Sequence, residues 1–226
     1  GGGGSGGSIR LRAWTEVTLI GGVLSARGGK GGVLSCGNIA ASKKAGDGGD
    51  GRIQIMSLSG LTQGYLVNPN PAPSFGQPTG TVNGGSGALG AFAPTEDVVL
   101  NTDDGPFEYT SFELPADVTL TAMGSAPLVI QAASHIAIYG AIELNGDKGG
   151  TGYSACCGSP YPAARAGEGG AAGAGGFPGG GGGEASDGEN GGGPGGAPGG
   201  PLNIFSSGGG GGFAQVGQSG GTNQCN

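Results

Sequence analysis

Apolar and polar residues alternate with a period of two in short stretches that recur along the chain. The first is Ile9-Arg10-Leu11-Arg12-Ala13. The others are Ile53-Gln54-Ile55-Met56-Ser57, Leu128-Val129-Ile130-Gln131-Ala132 and Leu202-Asn203-Ile204-Phe205-Ser206. Such alternation buries one face of a strand and exposes the other, so each stretch is expected to be a strand. The expected core positions are Ile9, Leu11, Val17, Leu19, Ile53, Ile55, Leu128, Ile130, Ile136, Ile138, Leu202 and Ile204.

Two copies extend further. Ile9, Leu11, Ala13, Val17, Leu19, Gly21 and Val23 match Leu128, Ile130, Ala132, Ile136, Ile138, Gly140 and Ile142 at a constant offset of 119. A one-residue adjustment then brings Lys30-Gly31-Gly32 onto Lys148-Gly149-Gly150. Strand cores recur every six to eight residues within each copy, too closely for helices between them. The expected fold is all-β with essentially no α-helix. Its repeat units are short coils of a β-solenoid or a sandwich-like arrangement of very short strands.

Each unit runs into glycine, which supplies 60 of the 226 residues. Gly167, Gly170, Gly173, Gly176, Gly179 and Gly182 fall on one period of three, as do Gly146, Gly149 and Gly152. An extended polyproline-II-type helix has three residues per turn, so these glycines share a face that lets neighbouring main chains touch. Backbone N–H···O and Cα–H···O contacts would then offset the entropy cost of ordering glycine. A flexible linker is the alternative. Collagen is excluded, because the phase breaks at Ala185 and Pro194.

The Pro-rich stretch from Asn68 to Gly80 reads as a linker. It divides the chain into residues 1–66, a linker at 67–87, and residues 88–226. Beyond it, Val98-Val99-Leu100 and Phe107–Leu114 read as further strands. Phe107, Tyr109, Phe112 and Leu114 are candidates for a contact with a neighbouring subunit, with packing inside their own domain the favoured alternative.

The net charge of −7 argues against a nucleic-acid partner, and no apolar run is long enough to insert in a membrane as a helix. Cys36, Cys156, Cys157 and Cys225 contain no C-x-x-C pair, which disfavours zinc. Their even number suggests disulfides and an oxidising compartment. A vicinal bridge is strained, so Cys36 and Cys225 would each join one of Cys156 and Cys157, in either pairing. No signal segment opens the chain, so the sequence reads as a mature product or a piece of something longer. Joined end to start, the terminal glycine tracts would read as one, as in a single repeat of a longer polymer.

Catalytic groups are sparse, and the chain is expected not to be an enzyme. His135 occupies an outward position of the second unit, and a hydrolase elbow is not expected. Gly46-Asp47-Gly48-Gly49-Asp50-Gly51 contains G-x-G-x-x-G, but it precedes a strand and no helix follows, which excludes a dinucleotide fingerprint. No cofactor is expected; Ca²⁺ at Asp47, Asp50, Asp103 or Asp104 is the disfavoured alternative. Trp14 replaces Ala133 of the other unit, so the repeat does not require it, and it is a candidate ligand contact.

The units Ser8–Ala13, Val17–Leu19 and Gly22–Ala26 resemble the rungs of filamentous-haemagglutinin-type β-helices of secreted, glycine-rich bacterial surface proteins. The glycine tracts resemble the polyproline-II bundles of springtail antifreeze proteins and the glycine-rich tip adhesins of phage tail fibres. These likenesses imply a secreted, extracellular or cell-surface protein. The expected function is a structural subunit of a homopolymeric filament or matrix. The alternatives are an adhesin recognising a cell-surface glycan and, less favoured, an ice-binding protein. No extended threonine array supports the last.

Overall fold

Ile9, Leu11 and Ala13 lie beside Leu128, Ile130 and Ala132 in parallel register, and beside Ile53, Ile55 and Ser57 on the other side. Three of the four alternating stretches are therefore adjacent strands of one sheet. The structure, a computed structural model, describes residues 1–35, 44–58, 61–62, 66–68, 74–75, 84–153, 166–184, 187–200, 205–206, 208–212 and 215–223. These form two compact units. A sheet unit comprises Ser8–Ala26 and Arg52–Leu144; a glycine unit comprises Gly1–Gly7, Arg27–Gly51 and Asn145–Asn226. Each unit draws on chain from both sides of the Pro-rich stretch.

The sheet unit holds three parallel sheets of five strands. The first runs Phe107–Tyr109, Leu128–Ala132, Ser8–Ala13, Arg52–Ser57, Ser74–Phe75. The second runs Ala91–Phe92, Ser111–Leu114, Ile136–Ile138, Val17–Leu19, Leu61–Thr62. The third runs Val98–Asn101, Thr119–Met123, Ala141–Glu143, Val23–Ser25, Leu66–Asn68. Successive strands of the chain go to successive sheets, so residues 8–25, 107–123 and 128–143 each add one tier to all three, as do Arg52–Ser57, Leu61–Thr62 and Leu66–Asn68 together. This parallel pairing excludes an up-and-down meander, whose neighbouring strands run antiparallel. Helix is confined, among the described residues, to the 3₁₀ turn Thr102–Asp104.

The tiers do not follow chain order. Residues 91–143 form consecutive tiers, and the next tier is 8–25, followed by that of Arg52–Ser57, Leu61–Thr62 and Leu66–Asn68. Ile9, Leu11, Val17, Leu19, Leu128, Ile130, Ile136 and Ile138 are fully buried, and Ile53 and Ile55 nearly so. Burying such a side chain contributes roughly 1.5–3 kcal/mol, which sets the register.

The offset of 119 holds through Leu19 and Ile138 but not beyond. Val23 pairs with Ala141, and Leu24 with Ile142. The corner after Leu19 contains one more residue than its counterpart, with Gly21 at φ +70°. Leu24, not Val23, therefore points inward and is fully buried. The fourth alternating stretch also differs. Phe205–Ser206 pairs antiparallel with Gly183–Glu184 and Thr222–Asn223 in the glycine unit. Leu202 and Ile204 lie outside the described residues.

The glycine unit is built around Gly1–Gly7. N–H groups of Gly2 and Ser5 donate to the carbonyls of Gly180 and Phe177; those of Gly3 and Gly6 donate to Gly46 and Gly49. Gly1 and Gly4 donate to Gly150 and Asp147. Carbonyls of Gly1 and Gly4 accept from Gly32 and Gly29, those of Gly2 and Ser5 from Gly170 and Gly173, and that of Gly3 from Gly211. Every third residue thus meets the same neighbour, as three residues per turn require.

The surrounding segments also bond to one another in a closed ring. Gly48 donates to Gly29, Gly46 to Gly208, Gly180 to Gly209, Gly179 to Gly170, Asp147 to Ala171 and Gly149 to Lys30. Close approach explains the composition. A Cβ on Gly3 would overlap the Gly29 carbonyl oxygen, and one on Gly48 that of Gly4. Gly167, Gly170 and Gly173 face the central segment, the chain reverses at Gly175 (φ +72°), and Gly176, Gly179 and Gly182 continue antiparallel.

Candidate assembly site at the sheet ends

Phe92, Val98 and Leu100 carry the inward alternation into the tier at residues 91–101, yet all three are only half-buried. Their neighbours one tier deeper, Phe112 and Leu120, are fully buried. The core is thus open at this end. Among the described residues, no strand pairs with the outer side of Ala91–Phe92 or Val98–Asn101. A parallel edge strand leaves alternate N–H and C=O groups unpaired, which templates addition of another strand. Leu89, Val99 and Met123, at 56, 57 and 60 % exposure, add exposed apolar surface near it.

A strap, residues 84–90, closes the corresponding edge of the first sheet. Leu89 N–H donates to the Glu108 carbonyl, and Thr110 N–H to that of Gly90. Ser86 donates its amide and hydroxyl to the Glu108 carboxylate. These bonds, the hydroxyl's foremost, hold Glu108 below the ordinary carboxylate range. Gly85, Gly87 and Gly90 all have positive φ, which lets the strap turn at each step.

Phe107, Tyr109, Phe112 and Leu114, the candidates for a subunit contact for which packing inside their own domain is favoured, lie inside this unit. Phe112 and Leu114 are fully buried, and Phe107 and Tyr109 are buried. Phe92 stacks on Phe112 with ring centroids 4.8 Å apart and tilts against Tyr109 at the same separation. Burial raises the Tyr109 phenol above its usual value. They are core residues, because the inward strand face beneath the open tier is filled by large rings. The neighbouring Val98–Asn101 edge, seen in the sequence only as a further strand, is the exposed feature instead.

The remaining candidates are dispersed. Asp47 and Asp50 lie in the glycine unit. Asp47 accepts the Gly31 N–H at 2.7 Å and pairs with Lys44 at 3.0 Å and Lys30 at 3.4 Å; Asp50 accepts the Gly28 N–H. Asp103, in the sheet unit, accepts the amide and hydroxyl of Ser125. Each of these carboxylates thus has a local polar partner. His135 Nδ1 is 3.3 Å from Ser134 Oγ, but that hydroxyl also lies 2.8 Å from the Thr110 carbonyl, to which it donates.

Two G-x-S-x-G sequences exist that the expectation of no elbow overlooked, Gly3–Gly7 and Gly217–Gly221. Ser5 in the first is fully buried in an extended segment, not at a strand-to-helix turn. Trp14 and Tyr139 are exposed at 48 and 37 %. Cys36, Cys156, Cys157 and Cys225 lie outside the described residues. Among the described residues, no helix is long and apolar enough to cross a membrane. Comparison with protein families, with characterised proteins and with solved structures finds no match for this chain.

Proposed function

We propose that this chain is a secreted structural subunit of an extracellular filament or matrix, assembled through its open sheet ends and its glycine packing. In this reading the three sheets are the sides of a short β-solenoid, and the glycine segments form a polyglycine-II bundle. The observation that carries it is the half-buried inward row Phe92, Val98 and Leu100 above the fully buried Phe112 and Leu120, on parallel edges that no described strand covers. An uncapped repeat end favours association with another repeat. Negative-stain electron microscopy of non-reduced protein is the test. Filaments or sheets with a regular repeat are expected; discrete 21.3 kDa particles at all concentrations would overturn the reading.

A second reading, a surface adhesin for a glycan, is favoured by one observation. Trp14 and Tyr139 expose aromatic surface of the kind on which sugar rings stack. Binding by a monomer on a glycan array, lost in Trp14→Ala, would place this reading first.

A further inference from the structure

We infer that copies of this chain join head to tail, the tier 91–104 of one copy adding to the opposite end of the next copy's sheets. The inference rests on the structural-subunit reading and specifies its contact.

Charge is distributed along the stack of tiers. From residue 84 to residue 144 there is no Lys or Arg, while Glu96, Asp97, Asp103 and Asp104 crowd the terminal tier and the turn after it. The tiers toward the other end, residues 8–25 and the strands Arg52–Ser57, Leu61–Thr62, Leu66–Asn68 and Ser74–Phe75, carry Arg10, Arg12 and Arg52 against the single acid Glu16. The acids thus lie at one end of the stack and the arginines in the tiers toward the other.

Strand polarity points the same way. All strands of the three sheets are parallel, so the two ends present different edges. A two-fold contact between identical acidic ends would oppose like charges and require antiparallel pairing at the junction. A head-to-tail contact keeps parallel pairing and sets acids toward arginines. Such heterologous contacts propagate into open filaments. The chain already contains a junction of this kind. Tier 8–25 adds to tier 128–143 in full register although these segments are not successive in the chain. With five strands per sheet and about 4.8 Å between strands, each copy advances the filament by about 24 Å.

The test uses two charge-reversed variants of the full chain. One is Glu96→Lys with Asp104→Lys; the other is Arg52→Glu. All three residues are exposed, so circular dichroism and melting temperature should match the wild type. Each variant alone is expected to lose at least tenfold in pelletable polymer at low salt. An equimolar mixture is expected to recover it, because a Lys-bearing head fits a Glu-bearing tail and the remaining ends are native. Wild-type elongation should slow as salt rises and the Debye length shrinks from about 10 Å at 0.1 M toward 3 Å at 1 M. Variants that polymerise like the wild type, or a mixture that fails to recover, would overturn the head-to-tail contact while leaving the structural reading in place. A wild type that stays monomeric would remove both.

Discussion

Ser5 and Phe177 bond to each other twice. The Ser5 N–H donates to the Phe177 carbonyl at 2.9 Å, and the Phe177 N–H donates to Ser5 Oγ at 2.8 Å. Ser5 interrupts the glycines of the central segment and is fully buried. Its side chain takes up an amide where the surrounding chain reverses and the period-three pattern supplies no carbonyl. Ser5→Ala removes that acceptor and is expected to destabilise the glycine unit by about 1–3 kcal/mol. Ser5→Thr, which keeps the hydroxyl but adds a methyl in a closed bundle, should cost about as much through overpacking. Chemical denaturation followed by circular dichroism reads both; an unchanged midpoint for Ser5→Ala would show that the bond contributes nothing.

Gly3 and Gly21 test different reasons for glycine. A Cβ at Gly3 meets backbone that belongs to a neighbouring segment, whereas a Cβ at Gly21 meets nothing within 4 Å but sits at φ +70°. Gly3→Ala must therefore push segments apart and break bonds of the ring. It is expected to cost about 3 kcal/mol or more, above the usual overpacking range because the obstacle is main chain. Gly21→Ala should cost only the left-handed penalty, about 1–2 kcal/mol. The two costs are read from equilibrium unfolding, and the reverse ranking would contradict the packing described here.

Leu24 and Val23 test the register. Leu24 faces inward opposite Ile142 and is fully buried, while Val23 faces outward opposite Ala141. Leu24→Ala is expected to cost about 2–5 kcal/mol, and Val23→Ala no more than about 1 kcal/mol. A larger cost at Val23 would restore the register of 119 that the sequence suggests.

That comparison shows where the sequence was legible. Adjacent parallel strands bury like residues at like positions, so Ile9–Leu19 and Leu128–Ile138 announced their pairing through matched side chains. A single extra glycine at a corner leaves no such mark, and the match slipped at Val23. The period-three glycines also marked the face that meets the central segment. Which segment each tract meets was not legible, because every tract offers the same bare backbone. For the same reason the reversal at Gly175 was hidden, since the period runs through it unbroken. The open tier was half visible. Val98-Val99-Leu100 reads as a strand, but its place at the end of the stack depends on pairings between distant residues. The aromatic residues beside it fill the core, the packing that their alternation already favours.

Asp47 makes the glycine unit sensitive to acid. Burial works to raise its pKa, but the Gly31 amide, the Lys44 ammonium and the field of Lys30 outweigh it, and the net shift is downward from the ordinary 3.8. A carboxylate depressed in the folded state stabilises the fold at pH values above its unfolded pKa. That contribution fades as pH falls below about 4 and is gone below the folded value. Melting temperature should therefore hold from neutral pH to about 5 and then decline. Asp47→Asn keeps an acceptor for the Gly31 amide but loses both lysines. It should melt lower than the wild type at pH 7, with the gap closing toward pH 2. A gap that stayed constant across this range would mean that the charge on Asp47 contributes nothing, and that the cost comes from seating an amide in place of the carboxylate.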